Sequence, residues 1–268
     1  MNPRGELITL KDKDWLKRQT FAGSVICEVH NALYKIILGH ANNLTLRNLN
    51  TVAQDIIKSH GCTPTFLNYN GFPSVICASL NKEIVHGFGT RDVQLQSGDV
   101  IKIDVGVTFE GAIADCAMTY VYGKSTDKIY KMLISCQEAL YDGIKQFKCG
   151  NRVGDIGKAI FQKSKVDGFG VITNFGGHGI DQGTLHAAPF VPNKSSSEEG
   201  VRIHPGMSIA IEPMFVLGNN INTRVMKDKW SVQTADIGCH YEHSVTLDEN
   251  GELHIISDHG IFAKDFVK

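Results

Sequence analysis

Four carboxylates stand inside apolar, strand-like stretches of the 268-residue sequence, where an uncompensated charge would be costly. Asp104 lies in "GDVIKIDVGV" and Asp115 in "AIADCAM", while Glu212 lies in "SIAIEPM" and Glu242 in "CHYEHSV". The stretches "SGDVIKID" and "PGMSIAIE" share a pattern, because each has a glycine, then alternating apolar positions, then an acid six residues after the glycine. This repeat predicts that the acids occupy comparable places in two related halves of the chain.

Two halves packed about a pseudo-twofold axis would bring these acids together, and four negative charges near one another need a positive partner. Their neighbourhoods contain histidines rather than a matching set of arginines. His178, in "NFGGHGIDQGTLH", is flanked by glycines, which allow backbone and ligand to approach closely. The five residues together predict two divalent cations, with Mn, Fe, Co and Zn as candidates. For any one acid taken alone, a salt-bridge partner, an edge residue or a turn cap is the alternative.

The apolar periodicity predicts which elements position these residues. Helices are predicted over residues 12–39, 45–61, 126–147 and 152–165, and strands over 74–79, 99–107, 112–122, 170–175, 208–217, 231–237 and 239–247. Helices precede strands twice along the chain. We therefore predict a single catalytic domain over residues 1–268, built from halves at about 12–123 and 124–250.

Composition excludes several classes of protein. Lysine plus arginine (27) balances aspartate plus glutamate (28), so we expect no specific nucleic-acid partner. No run approaches the ~18 apolar residues of a membrane span, and the first residues lack the apolar core of a signal peptide. Seven scattered cysteines without a C-x-x-C pair predict reduced thiols. We expect a cytoplasmic protein without a membrane partner, in which the histidines at 30, 40, 60, 254 and 259 are ordinary surface or satisfied residues.

Six short motifs, in this order, resemble those of the type I methionine aminopeptidases: "SLNKEIVHG", "KIDVGV", "AIADCAM", "GGHGI", "AIEPM" and "YEHSV". The resemblance spans nearly the whole chain. It implies an α+β protein with the pita-bread fold, in which two pseudo-twofold-related halves form a central antiparallel-rich sheet covered by helices. It also implies metal-dependent removal of the N-terminal methionine from peptides and nascent chains, with the ribosome as a transient partner and a monomeric enzyme.

The resemblance assigns Asp104, Asp115, His178, Glu212 and Glu242 as the ligands of two divalent ions. Asp104 would bind one ion, Asp115 and Glu242 would bridge both, and His178 and Glu212 would complete the other. Glu212 would also take up and relay the proton of the attacking water.

Further residues are implied to contact the substrate. His86 would hydrogen-bond around the scissile amide and assist proton transfer, and His186 would contact the substrate carbonyl or the tetrahedral intermediate. The pocket for the methionine side chain would be formed by Tyr69, Phe72, Cys77 and Trp230, together with Phe66.

The sequence departs from the family pattern in "GHGIDQGTLHAAP". Asp181 replaces the usual glycine, eight residues rather than seven separate His178 from His186, and Leu185 replaces a frequent aromatic residue. Alanines also stand at 187 and 188, where acids are common. The alternatives are a pita-bread aminopeptidase of other specificity (Xaa-Pro type) and a catalytically impaired homologue that binds peptides.

Overall fold

The computed structural model describes residues 7–40 and 43–267. The helices are α1 (Lys13–Leu38), α2 (Leu46–Ser59), α3 (Asp127–Ile144) and α4 (Val153–Asp167), and short 3₁₀ turns span Tyr69–Gly71 and Ala263–Phe266. The strands of the first half are β1 (Thr63–Pro64), β2 (Cys77–Leu80), β3 (Glu83–Val85), β4 (Val100–Phe109) and β5 (Ala112–Val121). Those that follow α4 are β6 (Gly170–Val171), β7 (Gly176–Asp181), β8 (Thr184–Pro192), β9 (Ser208–Ile211), β10 (Met214–Val216), β11 (Thr223–Val225), β12 (Val232–Thr234), β13 (Gly238–His240), β14 (His243–Leu247) and β15 (Leu253–Ile255).

All four predicted helices are present, and α1, α2 and α3 each begin at a residue whose side chain caps the helix. The Asp12 carboxylate accepts from the backbone N–H of Trp15 (2.7 Å), and the Thr45 hydroxyl accepts from the N–H of Asn48 (3.2 Å). The Thr126 hydroxyl caps α3 in the same way. Such caps satisfy amide groups that have no partner inside the helix, which fixes where each helix begins.

The longest ladder is the β4–β5 hairpin, which carries both aspartates. β4 pairs antiparallel with β5 along one edge and with β1 and β2 along the other. A second sheet has the order β15-β14-β9-β7-β8, and two smaller sheets have the orders β13-β10-β6 and β11-β12-β3. The strand pairings among the described residues are antiparallel, as predicted, although they form several sheets rather than one continuous sheet.

The strand predictions were wrong in detail at the acids. The strand predicted over 208–217 is interrupted at Glu212 and Pro213, and that over 239–247 is interrupted at Tyr241 and Glu242. Pro213 lacks the N–H that a continuous ladder needs. Strands β2, β6 and β12 are shorter than predicted, whereas the β7–β8 hairpin was missed. The two-half division stays a prediction.

Helix α1 also requires a correction. An 18-residue window of α1 reaches a mean hydropathy of 1.2, so by length and composition it passes as a membrane span, contrary to the expectation above. The helix nevertheless buries a stripe that includes Val25, Ile26, Val29 and Leu33, and these side chains belong to the same core as those of β4 and β5. A mostly buried stripe facing a sheet is typical of a core helix.

Gly23 of α1 lies against the C-terminal segment, and a Cβ atom there would be 2.1 Å from the carbonyl oxygen of Ile256. We expect Gly23→Ala to lower the free energy of unfolding by about 1–2 kcal/mol, because overpacking outweighs the better helix propensity of alanine. Urea denaturation measures this change. The matched control is Ser24→Ala on the exposed neighbouring position, expected within about 0.5 kcal/mol of wild type. A Gly23→Ala protein more stable than wild type would contradict the packing described.

Candidate active site

One cavity of about 410 Å³ contains every residue that the sequence assigned to the site. Its lining includes the predicted metal ligands Asp104, Asp115, His178, Glu212 and Glu242, the two histidines His86 and His186, and the pocket residues Phe66, Tyr69, Phe72, Cys77 and Trp230. Residues far apart in sequence therefore meet in space. Their individual roles stay predictions.

The two aspartates lie on one face of the β4–β5 ladder. Asp104 is opposite Ala117, and Asp115 is opposite Gly106, so each carboxylate faces a small residue and the two acids are diagonal neighbours. The Ser244 hydroxyl holds the backbone of Asp115 at both polar atoms: it accepts from the amide N–H (2.7 Å) and donates to the carbonyl oxygen (2.8 Å). These two bonds fix the backbone of Asp115 and therefore the direction in which its side chain leaves the strand.

Both glutamates occupy the strand interruptions, where the backbone is held by neighbouring segments. The Asn193 amide donates to the carbonyl oxygen of Glu212 (3.0 Å), and the N–H of Glu242 donates to the carbonyl oxygen of Ala117 (2.8 Å). These bonds satisfy backbone groups that the interrupted ladders leave free. The glutamate side chains are directed to the same cavity as the aspartates.

His178 lies on β7 between two glycines that are required for close packing. A Cβ at Gly177 would be 2.1 Å from the Ala210 carbonyl oxygen, and one at Gly179 would be 1.9 Å from that of Ala188. His178 Nδ1 is 3.0 Å from the carbonyl oxygen of Gly179, which can only accept, so Nδ1 carries the proton. Its Nε2 is left with a lone pair for a metal.

That nitrogen is directed toward the acids. His178 Nε2 is 3.9 Å from Asp115 Oδ2, 3.9 Å from Glu212 Oε1 and 4.0 Å from Glu242 Oε1. Atoms of Asp115, His178 and Glu242 lie within 4.8 Å of one another. Burial lowers the pKa of His178 to about 3, so the imidazole is neutral, as a metal ligand must be.

The carboxylates are buried without adequate compensation from protein groups. Burial raises the pKa of Asp104 to about 6, and burial with neighbouring negative charge raises those of Asp115 and Glu242 well above their usual range. Burial also raises the pKa of Glu212. Within the described part of the chain no lysine or arginine forms an ion pair with these four acids; the buried ammonium of Lys102 donates instead to the Asn81 carbonyl oxygen (2.7 Å).

Oxygen atoms of three acids are left unsatisfied. Asp104 Oδ1, Asp115 Oδ1 and Glu242 Oε1 are buried and have no hydrogen-bond partner among residues 7–40 and 43–267. Buried polar atoms normally have partners, so these oxygens indicate a missing cation. Oxygen ligands with one or more imidazoles suit divalent metals, and the residues present fit them.

An aromatic wall adjoins Asp104. The Phe72 ring packs edge-on against Trp230, with 5.1 Å between centroids, and Phe66 lies over Gly106, where a Cβ would be 2.7 Å from the ring. Cys77 is directly opposite Asp104 in the β2–β4 ladder, so its side chain shares the face of the carboxylate.

The two further predicted histidines border the same cavity. His86 has a left-handed backbone with φ of 60°, a strained conformation for a residue with a Cβ, and burial lowers its pKa to about 4. His186 Nδ1 is 3.1 Å from the Tyr69 hydroxyl, and its ring packs edge-on against His178 with centroids 4.6 Å apart.

Comparison with known proteins decides the family, since residues 19–249 match metallopeptidase family M24. The chain belongs to metallopeptidase family M24. It is 37% identical over 248 residues to the methionine aminopeptidase of Mycoplasma capricolum, an alignment covering 91% of this chain and 96% of the relative. The crystal structure of methionine aminopeptidase from Rickettsia prowazekii matches with a TM-score of 0.88 and 28% identity, covering 94% of this chain and 100% of that one.

A more distant member of the fold is the Xaa-Pro dipeptidase from Bacillus anthracis. It matches with a TM-score of 0.72 at 17% identity, covering 92% of this chain but 61% of that one, and shows the fold alone. The predicted pita-bread fold is confirmed. Membership of M24 also establishes that the protein is a metallopeptidase that binds divalent metal.

The unusual β7–β8 hairpin of this M24 protein is anchored at its tip. Its register shifts on either side of Gly179, so the longer spacing between His178 and His186 is accommodated by a bulge. Asp181 receives hydrogen bonds from Thr9 and from the Lys11 ammonium, the latter at 2.9 Å, and the N–H of Gly183 donates to the Gly111 carbonyl oxygen (3.0 Å). The departure from the family pattern is therefore supported by a chain segment more than 150 residues away.

Three residues of the M24 site were missed in the sequence: Asn193, His240 and Ser244. His240 precedes Glu242 by two positions, a spacing that places side chains on one face of an extended chain and could have indicated it. Asn193 and Ser244 act through backbone groups, for which the sequence carries no signal. Two of the histidines predicted to be ordinary have protein partners: His30 is buried with Tyr120 and Cys116, and His60 contacts Glu28.

The buried acids make the metal-free protein sensitive to pH. A carboxyl whose pKa is raised by folding stabilises the folded state below its unfolded pKa, and this contribution is lost as pH rises through the folded pKa. Buried histidines act in the opposite direction, but only below about pH 6.5. Burial lowers the pKa of Lys102 to about 7, so above that pH its deprotonation offsets part of the loss caused by the several acids. We expect the Tm of metal-free protein to fall by at least about 2 °C between pH 6.5 and 8.5, and Mn²⁺ to reduce this fall.

Scanning calorimetry at several pH values measures the effect, with Glu242→Gln as the matched variant. Removing one buried acid should make the fall in Tm shallower. A metal-free Tm that is constant or rises over this interval would show that the acids are not protonated in the folded state.

The Lys11–Asp181 pair should stabilise the hairpin that carries His178 and His186. We expect Asp181→Asn to loosen the tip by ~1 kcal/mol, which corresponds to roughly fivefold faster amide hydrogen exchange over residues 182–186. The control is Asp142→Asn, which removes a surface partner of Lys145 on α3. Unchanged exchange in the hairpin would mean that the pair contributes nothing to its order.

Proposed function

We infer that the protein is a methionine aminopeptidase, a hydrolase that removes the N-terminal methionine of proteins and peptides by cleaving the first peptide bond. The observation that carries this inference is the single cavity in which five ligand-type residues adjoin an apolar, sulfur-containing wall. The first group suits metal-dependent hydrolysis, and the second suits an unbranched thioether side chain.

Two divalent ions are proposed for the centre, held by Asp104, Asp115, His178, Glu212 and Glu242, with Mn, Fe, Co and Zn as candidates. When bound, such ions lower the pKa of water and stabilise negative charge on a substrate oxygen. The orphaned oxygens of Asp104, Asp115 and Glu242 support this proposal.

Glu212 is placed to handle a proton during hydrolysis. It lies in a strand interruption at the cavity wall, beside the other residues proposed to hold the ions, where a carboxylate can take up a proton from an attacking water. His86 is neutral at physiological pH and can both donate and accept a hydrogen bond near the scissile amide. His186, oriented by the Tyr69 hydroxyl, is proposed to contact the substrate carbonyl.

Substrate orientation follows from the position of the pocket. Cys77 faces the same side of the ladder as Asp104, so a methionine side chain against Cys77 would place its α-amino group near the Asp104 carboxylate. Phe66, Tyr69, Phe72 and Trp230 complete the wall. This arrangement supports action at free chain ends only.

The cellular setting is also proposed rather than established. The cysteines at 27, 62, 77, 116, 136, 149 and 239 are all unpaired, which supports a reducing, cytoplasmic location. Nascent chains emerging from the ribosome are the expected source of substrate, and the enzyme is proposed to act as a monomer. The presence of all five ligand-type residues argues against loss of catalysis, and the higher identity to methionine aminopeptidases than to the Xaa-Pro dipeptidase argues against proline specificity.

The test is amino-acid release from Met-Gly-Met-Met, Leu-Gly-Gly and Ala-Pro-Gly by metal-stripped protein reloaded with Mn²⁺, Co²⁺, Fe²⁺ or Zn²⁺. We expect methionine from the first peptide alone, and only with metal. Asp104→Asn should lower turnover at least about 100-fold with an unchanged circular dichroism spectrum, because the variant removes a ligand charge without changing size. Release of alanine from Ala-Pro-Gly would contradict the assigned specificity, and full activity in Asp104→Asn would contradict the metal site.

A further inference from the structure

His240 is a buried imidazole with 2% exposure, and neither ring nitrogen forms a hydrogen bond of normal geometry with the described residues. Its Nε2 does lie close to a carboxylate oxygen of Glu212, at 3.2 Å. Buried histidines elsewhere differ: His30 contacts Tyr120 and Cys116, and His243 contacts Ser257 and Tyr141. A native buried polar group without a partner calls for a bound ion or water at that place.

The backbone of His240 is anchored to β5, and its side chain lines the cavity. The Thr119 hydroxyl of β5 donates to the His240 carbonyl oxygen (2.7 Å) and accepts from its N–H (2.9 Å). Thr119 is four residues after Asp115 on the same strand, so both lie on the same face. This hydroxyl fixes β13 over the face that carries the aspartates.

Glu212 lies between two imidazoles. Its Oε1 is 3.9 Å from His178 Nε2, and its Oε2 is 3.2 Å from His240 Nε2. Two ligand atoms that share a first-row cation at 2.0–2.2 Å are separated by about 3–3.5 Å. The distance between Glu212 Oε2 and His240 Nε2 falls in this interval.

The ligand-type atoms fall into two overlapping groups. Asp115, His178 and Glu242 form one, Glu212, His240 and Glu242 form the other, and within each the atoms lie within 4.8 Å of one another. Glu242 belongs to both groups, and each group contains one imidazole. Each group therefore offers the imidazole nitrogen and carboxylate oxygens that a divalent ion takes as ligands.

We propose that His240 is a sixth metal ligand, which supplies an imidazole nitrogen to an ion held by Glu212 and Glu242. The proposal rests on the metal-dependent function above, and it adds a nitrogen to a centre for which the sequence supplied only one. Imidazole suits Co²⁺, Fe²⁺ and Zn²⁺ better than Mn²⁺, which prefers oxygen ligands. The extra nitrogen therefore shifts the metal preference of this protein away from Mn²⁺.

The direct test uses proton NMR of metal-free protein reloaded with two equivalents of Co²⁺. Each imidazole bound to paramagnetic Co²⁺ gives a strongly shifted N–H signal that disappears in D₂O. We expect two such signals in wild type, one in His240→Gln and one in His178→Ala. His86→Gln is the control, because it removes a cavity histidine not proposed as a ligand and should keep both signals.

The outcomes separate this proposal from the proposed function. A single wild-type signal that is lost in His178→Ala would leave the metal-dependent function in place and overturn the role of His240. No shifted signal at all would overturn both. The number of shifted N–H signals in the wild-type protein tests the role of His240 even if His240→Gln does not fold.

Calorimetric titration gives a second readout that does not depend on activity. We expect His240→Gln to weaken binding of one of two Co²⁺ ions by at least about tenfold, and to weaken Mn²⁺ binding less. Equal losses for the two metals would mean that His240 orients Glu212 through a hydrogen bond and does not bind metal.

Discussion

The convergence of four carboxylates, three of them buried, on one cavity is the constraint on which the architecture depends. Taking a carboxylate out of water costs several kcal/mol unless charge or hydrogen bonds replace the lost hydration. Here the neighbouring groups mainly hold backbone atoms: Ser244 binds the backbone of Asp115, and Asn193 binds that of Glu212. These hydrogen bonds direct the acids into the cavity but leave their negative charge uncompensated. A bound cation supplies the compensating charge.

The aspartates and the glutamates are positioned by different backbone features, and both features direct the side chains into the cavity. The aspartates come from a continuous ladder, where small residues opposite each acid leave space, whereas the glutamates come from places where ladders break. A break frees the backbone to turn a side chain inward but leaves N–H and C=O groups that must be bonded elsewhere. Rigid elements with supporting hydrogen bonds are what a site needs to be preorganised.

Sequence reasoning succeeded where a periodic pattern or a charged residue in an apolar run carried the signal. The helices and the β4–β5 hairpin followed from periodicity, and the acids and His178 were noticed because their types conflict with their surroundings. The β7–β8 hairpin was missed because its glycines are required by close contacts with the backbone of Ala210 on β9 and of Ala188 on β8, and glycine weakens a strand signal. His240 was missed because its contacts with Thr119 and Glu212 are set by tertiary structure, and the sequence signalled it only through its spacing of two residues from Glu242.

The pairing of Cys77 with Asp104 has a consequence for how the enzyme measures its substrate. Residues directly opposite in an antiparallel ladder have Cα atoms about 4.5–5.5 Å apart, and a sheet holds that separation rigidly. The side-chain pocket and the carboxylate that would serve the α-amino group are thus a fixed one-residue distance from each other. A chain placed one residue further into the site would present an uncharged peptide nitrogen to the carboxylate proposed to serve the α-amino group, so the rigid ladder would favour a substrate whose first residue fills the pocket.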